Sequence, residues 1–361
     1  MNRRPEGELR RGWTTGACAT AASTAAYTAL LSGAFPDPVT VHLPNGLSPA
    51  FALAREELGD GFARAAIVKD AGDDPDVTHG ALVVATVRKA AAGNGVIFKA
   101  GDGVGTVTLP GLPLAVGEPA INPKPREMMR RAIAEVAANM GDAGDVEIEI
   151  SIAGGAVLAT KTWNPRLGIV GGLSILGTMG VVIPFSCSAW IHSIHRGIDV
   201  ARANNLAHVA ACTGSTSERT VQAHYALPDI AMLDMGDFAG GLLKYLRKHP
   251  LPRLTIGGGF GKLCKLGAGH LDLHSGRSQV DLDWLADTAA ACGGSDSLVA
   301  AVRATHSAGQ ALALARADGV PLADAVAERA RQTAVSLLGG QTMIEVIAID
   351  RAGQVVGRAD G

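Results

Sequence analysis

The sequence predicts two domains of different class: an α+β domain over residues 1–185, then a Rossmann-like α/β domain over residues 186–361 with a mostly parallel sheet. Three observations carry that expectation. Strand-like runs crowd the first half without alternating strictly with helices. From His208 onward, short apolar strands alternate with helical stretches in a βαβαβ succession with short connections, the pattern of a parallel sheet. A length of 361 residues is enough for two cores, with a boundary between Trp163 and Ser188.

Taken in order, Gly16 to Leu31 is alanine-rich and free of proline, which predicts a helix capped by Thr14 or Thr15. Four prolines then punctuate a segment with one short strand, Val39 to Leu43. Strands are expected at Phe62–Val68, Ala81–Val87, Val96–Lys99 and Gly105–Leu109, broken by turn residues at Asp70–Asp76 and Gly93–Gly95. Pro125–Met140 reads as a helix with proline in its first turn. Val146–Ile152 and Ala156–Lys161 read as a hairpin around Gly154–Gly155. In the second half the expected order is a helix at Ala189–Ala203 and a strand at His208–Cys212. After the loop Thr213–Ser217 come a helix to Ala226, a strand at Ile230–Leu233, a helix at Phe238–His249 and a strand at Leu254–Ile256. Helices fill Leu282 to Leu338, and a hairpin from Met343 to Gly357 turns at Asp350–Gly353.

Composition excludes several classes. With 32 basic and 34 acidic residues, a net charge of −2 and no basic tract, a nucleic-acid partner is not expected. Cys18, Cys187, Cys212, Cys264 and Cys292 are odd in number and form no CxxC pair, so neither a disulfide framework nor structural zinc is expected, and a cytoplasmic setting fits. The opening, Met1 to Arg11, is polar and charged, unlike a signal peptide. Leu167 to Ile191 carries no charge and is long enough to span a bilayer, but its glycines, Pro184 and hydroxyl residues fit buried turns better than a membrane helix.

Six segments combine residues with chemical capacity. Arg10-Arg11-Gly12-Trp13-Thr14-Thr15-Gly16 opens a helix whose unpaired N–H groups suit an anion, with two arginine forks beside them; taken alone, the same residues read more readily as an ordinary threonine-capped helix. Lys69 to Gly80 holds Asp70, Asp73, Asp74 and Asp76, which could bind a divalent cation, supply a base, or build an Asx-turn loop. Gly101–Gly105 and Pro119–Arg126 place Lys124 and Arg126 at a helix start, where the helix dipole disfavours cations unless an anion is near. Lys161–Ser174 sets Trp163 beside a glycine-rich wall that is either core or a slot for a flat ring.

The fifth segment, Cys212-Thr213-Gly214-Ser215-Thr216-Ser217-Glu218, follows a strand and opens a helix; about twenty residues later the next strand ends at Asp234. A glycine turn at one strand end and an acid at the next is how nucleotide-like cofactors are held, although the motif is not GxGxxG and an N-capped helix fits too. In the sixth, Gly257 to Lys265 follows the third strand and lacks the Walker ending, while His270 and His274 stand at HxxxH spacing without the HExxH glutamate. Structural or substrate-positioning roles fit these better than zinc, so no metal site is expected.

Together the runs RRGWTTGACATAA, VKDAGDDPDVTHG, GVGTVTLPGL, GEPAINPKPREMM, KTWNPRLGIVGGLSILGTMGVV, CTGSTSE and GGGFGKLCKLGAGHLDLHS resemble the cobalt-precorrin-5B C1-methyltransferase family of cobalamin biosynthesis. The resemblance runs from about Arg10 to Asp281; the tail beyond Leu282 is less distinctive. It implies transfer of a methyl group from S-adenosylmethionine to C1 of a tetrapyrrole, giving cobalt-precorrin-6A, with the cobalt carried by the substrate. No catalytic assignment comes with it, so the site residues are expectations from physical chemistry. Gly214, Ser215, Thr216 and Asp234 are expected to cradle S-adenosylmethionine in the second domain. Arg10, Arg11, Thr14, Thr15, Lys124, Arg126, Lys262 and Lys265 are expected to meet the substrate's carboxylates, and Asp73, Asp74 or His274 to take a proton or orient the ring. The alternatives are a non-catalytic carrier of tetrapyrrole intermediates and a phosphoryl-transfer protein, the latter disfavoured by the missing P-loop lysine–Ser/Thr pair. A homo-oligomer is open to either reading.

Overall fold

The computed structural model describes residues 7–361, so the first six residues of the polar opening lie outside the described residues. The chain divides into two compact units, one ending at Cys187 and the other spanning Ser188–Gly361.

The first unit is built on a five-stranded sheet in the order Arg55–Gly59, Phe62–Val68, Leu82–Lys89, Val146–Ile152, Val96–Ala100. Its neighbours are antiparallel except the last pair, which is parallel. Val146, Ile148, Ile150 and Ile152 are wholly buried while Glu147 and Glu149 point away, the period of two expected of a strand with one covered face. That face packs on the helix Thr15–Ser32. The helix is buried almost all round because the helix Pro123–Met140 covers it as well, which explains its alanines: small side chains let the elements approach closely.

Two sequence expectations are corrected here. Ala156–Lys161 is not the second strand of a hairpin; Gly155–Ala159 is a short helix. Both edges of Val146–Ile152 are already taken, by Leu82–Lys89 and by Val96–Ala100, so no edge is left for a hairpin partner. Gly155 instead backs onto Gly103, whose carbonyl oxygen lies 2.2 Å from where a Cβ on Gly155 would stand. The strand expected at Gly105–Leu109 shrinks to Thr106–Val107, paired with Ile169–Val170. Arg55–Gly59 was not foreseen; it is a charged, exposed edge strand without an apolar alternation to announce it.

The second unit contains a five-stranded sheet in the order Met232–Leu233, His208–Cys212, Arg253–Gly259, Met343–Ile349, Val355–Ala359. The first four are parallel and the last turns back antiparallel, as the expected terminal hairpin requires. Helices cover both faces. Val209, Ala211, Leu254, Ile256, Val346 and Ala348 face the larger core, with the helices Cys187–Ala203, Ala239–Leu246, Phe260–Gly267 and Leu322–Leu338. The alternate residues Ala210, Cys212, Ile347 and Ile349 face a thinner core under the helix Ser215–Tyr225. The first three helices from Leu282 onward start at Asp281, Ser295 and Ser307, whose side chains accept N–H bonds from Trp284, Leu298 and Gln310, and the fourth, Leu322–Leu338, starts at Pro321.

On the thinner face, at the amino ends of the strands, Glu345 is buried at 2% exposure. Its carboxylate accepts from Thr255 Oγ1 at 2.6 Å, from Arg253 at 3.1 Å and from the Tyr225 hydroxyl, and pairs with Arg358 at 2.6 Å. Burial works against the charge, but these bonds, Thr255 first, hold its pKa down at about 2. A carboxylate depressed in the folded state stabilises fully above its unfolded pKa and loses that contribution as pH falls through the folded one. Glu345→Gln should therefore cost about 3 kcal/mol near neutral pH, as for loss of one partner of a buried ion pair. It should also flatten the acid dependence of stability between the ordinary glutamate value of 4.5 and about 2. Urea unfolding of both proteins across that window is the check; parallel curves would show that Glu345 does not drive the acid loss.

Candidate functional site

In the second unit the order of strands reverses at one place. The chain passes from His208–Cys212 to a neighbour on one side, Met232–Leu233, and then to a neighbour on the other, Arg253–Gly259. Loops leaving the carboxyl ends of such strands diverge to opposite faces and open a crevice, the usual ligand position in open α/β sheets. Thr213 N–H donates to the Gly257 carbonyl at 3.0 Å, and Gly259 N–H reaches Thr213 Oγ1 at 3.4 Å, so the two glycine-rich loops are neighbours. From there Ser215–Tyr225 runs to the thin face and Phe260–Gly267 to the thick one.

The glycines in these loops differ in purpose. A Cβ on Gly257 would stand 2.6 Å from Val221 and 2.9 Å from the Cys212 sulfur, so internal packing requires its absence. Around Gly214 and Gly259, each preceding a helix, a Cβ would meet no atom of the described residues within 4 Å beyond its own chain neighbours. Both backbones are extended or ordinary in conformation, so neither needs glycine for its own sake. Open space beside two helix N-termini suits a ligand carrying a carboxylate or nucleotide-like groups. Gly214 and Ser215 are exposed, and Thr216 and Asp234 are half-buried. Trp190, on the helix Cys187–Ala203, donates its indole N–H to the Asp234 carbonyl at 3.0 Å and lies against Gly236.

The two lysines expected here to meet substrate carboxylates are engaged within the protein. Lys262 pairs with Asp237 and also donates to the Leu273 carbonyl at 3.0 Å; Lys265, at 6% exposure, donates to the same carbonyl at 3.0 Å. Burial first, then the neighbouring Lys262, lowers the Lys265 pKa. His274 is exposed, with Nδ1 accepting from Gly276 N–H at 3.1 Å, so its neutral ring carries the proton on Nε2.

In the first unit the residues around the start of the helix Thr15–Ser32 interlock. Thr14 and Thr15 are buried: Thr14 Oγ1 accepts from Ala17 N–H at 3.1 Å, and Thr15 Oγ1 accepts from Leu176 N–H at 3.0 Å. Gly12–Trp13 pairs with Val181–Val182, and Gly12 lies so close to Ala71 that a Cβ would fall 2.0 Å from its carbonyl carbon. Arg10 forms a two-pronged pair with Asp70, whose carboxyl is held at about 2 by that guanidinium and then by the Gly72 N–H. Asp73 accepts from Arg10 N–H at 2.6 Å, and Asp74 from Phe185 N–H at 2.8 Å. Lys69, fully buried, pairs with Asp76 at 2.6 Å. Arg11 is exposed, as are the apolar side chains of Leu176, Met179 and Ile183 on the segment that wraps this turn.

The helix Pro123–Met140 begins beside the same place: Pro125 Cγ lies 2.9 Å from where a Cβ on Gly16 would stand. Lys124 is exposed and pairs with Glu127 at 2.7 Å. Arg126 is turned inward, donating to Glu118 at 2.7 Å and to the carbonyls of Ile121 and Pro119. The fold thus gathers Arg10, Arg11, Thr14, Thr15, Lys124, Arg126, Asp73 and Asp74 around two helix starts in the first unit, and in the second sets Gly214, Ser215, Thr216, Asp234, Lys262, Lys265 and His274 on the segments that follow three neighbouring strands. Sequence reasoning missed Asp237 and Trp190. Asp237 follows Asp234 by three residues in the same loop, a signal that was available; the aim of Trp190 depends on tertiary packing and had none.

Among the described residues no group of three or more His, Cys, Asp or Glu is arranged to hold a metal ion, and no helix is long and apolar enough to cross a membrane. The buried thiols of Cys18 and Cys212 are pushed up to about 12 by desolvation, which leaves them protonated.

Comparison with known proteins places these features in one family. The model of the CbiD family matches residues 2–184, and that of the CbiD C-terminal domain matches residues 272–360. The cobalt-precorrin-5B C(1)-methyltransferase of Paramagnetospirillum magneticum is 61% identical over 355 residues, covering 98% of this chain and 99% of that protein. Its counterparts from Rhodospirillum rubrum and Brucella anthropi are 59% and 58% identical, covering 99% and 97% of this chain and 99% and 96% of theirs. A crystal structure of the cobalamin biosynthesis protein cbiD from Archaeoglobus fulgidus is 28% identical, covers 75% of this chain and 84% of that one, and superposes with a TM-score of 0.41. With such identity along nearly its whole length, the chain belongs to the CbiD family.

Proposed function

We propose that this chain methylates C1 of cobalt-precorrin-5B, using S-adenosylmethionine as donor, in cobalamin biosynthesis. The observation that carries the reading is the identity of about 60% to the named methyltransferases over nearly the full chain. The donor lies at the switch point of a Rossmann-like sheet, along Gly214, Ser215 and Thr216, with the Asp234 carboxylate on the ribose hydroxyls. Two features support this placement: the open space beside Gly214 and Gly259, and the acid at the end of the adjoining strand.

Bound there, S-adenosylmethionine supplies an electrophilic methyl group. The S–CH3 bond breaks as the C1–CH3 bond forms, leaving S-adenosylhomocysteine, so the protein has little covalent work and contributes through alignment and exclusion of water. The exposed Arg11 and Lys124 meet substrate carboxylates, and Leu176, Met179 and Ile183 meet the apolar ring. Arg10, Thr14, Thr15 and Arg126 support these surfaces through the partners already described, while Lys262 and Lys265 hold Asp237 and Leu273 beside the donor loops of the second unit. Asp73 and Asp74 each spend one oxygen on a backbone N–H and keep the other for a substrate proton or polar group. His274 presents Nε2–H outward as a donor. The cobalt travels with the substrate.

Incubation with methyl-labelled S-adenosylmethionine and cobalt-precorrin-5B should give a product one methyl heavier, labelled at C1; label at another carbon, or none, would overturn the assignment, and binding without methylation would favour an intermediate carrier. Asp234→Ala should weaken S-adenosylmethionine at least tenfold by calorimetry and leave tetrapyrrole binding intact, in line with loss of a charge-assisted ribose contact. Unchanged donor affinity removes Asp234 from the site. Asp74→Asn keeps an acceptor for Phe185 and should leave thermal stability near wild type while slowing single-turnover methylation about a hundredfold, the scale of general acid–base contributions. An unaltered rate would limit Asp74 to holding its loop.

A further inference from the structure

Among the contacts that hold the loop carrying Asp234, three bear on its position. Trp190 holds the Asp234 carbonyl, and Gly236, in left-handed conformation at φ +54°, donates its N–H to the Cys212 carbonyl at 3.0 Å. These two tie the loop to its own side of the first strand. The third reaches further: the Asp237 carboxylate meets Lys262 on the helix that begins at Gly259. Since Met232–Leu233 and Arg253–Gly259 flank His208–Cys212, this ion pair passes over the end of the first strand and joins the loops on either side of it. It is part of a closed circuit. Leu273 N–H donates to the Asp237 carbonyl at 2.9 Å, and the Leu273 carbonyl accepts from both Lys262 and Lys265 at 3.0 Å.

We propose that Asp237 and Lys262 are positioning residues of the methyl-donor site, a clasp that sets the spacing between the Asp234 carboxylate and the Gly259 wall; this rests on the donor-site reading above. A partly exposed ion pair adds little to global stability, with Lys262 at 32% and Asp237 at 13% exposure. Its geometric effect is larger. A crevice that must hold a sulfonium in line with an acceptor carbon is sensitive to displacements of about 1 Å, and the clasp joins the two loops whose separation sets its width. Lys262 is consequently not a free cation for substrate carboxylates. Lys265, buried behind it, anchors the carbonyl on which the circuit closes.

The test is calorimetric titration of the full chain with S-adenosylhomocysteine, alongside thermal denaturation. Asp237→Asn and Lys262→Met should each weaken binding about tenfold, and the double variant no more than the worse single, because both remove the same interaction. Lys262→Arg, which keeps the pair, should bind nearly as wild type, and thermal midpoints should shift by only a few degrees. Should Lys262→Met fail to fold, Asp237→Glu serves instead: one added methylene keeps the charge but alters the spacing, and weaker binding at an unchanged thermal midpoint is expected. Losses that add in the double variant, or full affinity in both singles (or in Asp237→Glu) while Asp234→Ala is impaired, overturn the clasp and leave the donor site standing. Full affinity in Asp234→Ala as well overturns the donor site and the clasp with it.

Discussion

The end of the His208–Cys212 strand is bonded on both sides, by Gly236 N–H on the Cys212 carbonyl and by Thr213 N–H on the Gly257 carbonyl. Everything proposed for the second unit depends on that bracketing. It makes the strand central at its last residue, so the chain beyond Thr213 must leave the sheet sharply, and the helix Ser215–Tyr225 starts on one face while its neighbours start on the other. Divergence of the two loops creates room that no side chain among the described residues fills at Gly214 or Gly259.

The first unit solves a different problem. Its central helix has no polar stripe, since a sheet and a second helix cover it, and an alanine-rich helix buried this way offers few side chains for recognition. Chemistry is displaced to its first turn, where backbone packs on backbone. Gly12 against Ala71 and Gly72 against Arg10 leave no space for a Cβ. The aspartates at 70, 73 and 74 then satisfy the donors that this crowding exposes: the Arg10 side chain, the Arg10 N–H and the Phe185 N–H. What looks in the sequence like an acidic cation loop is largely a set of acceptors for a tightly folded turn.

How much was legible follows from which interactions are local. The α+β character of the first unit, the mostly parallel second sheet and the terminal hairpin could be read because strand alternation and glycine punctuation are local signals. The closeness of the Thr213 and Gly257 loops followed from the βαβαβ order. The fate of Ala156–Lys161 was not legible: it depends on both edges of Val146–Ile152 being filled, one of them by a strand fifty residues earlier. Nor could the sequence say that Arg126 turns inward to carbonyls, or that Lys265 is buried. A long cation reads as solvent-facing until its partners are known, and here, Glu118 aside, those partners are backbone oxygens without a side-chain signature.

The buried Glu345 network sits at the amino ends of the parallel strands, whereas Gly214 and Gly259 lie at the carboxyl ends. Durability and the proposed donor site in this unit therefore occupy opposite poles of the same five ribbons. A substitution that hardens the protein toward acid at one pole can be made without touching the loops at the other.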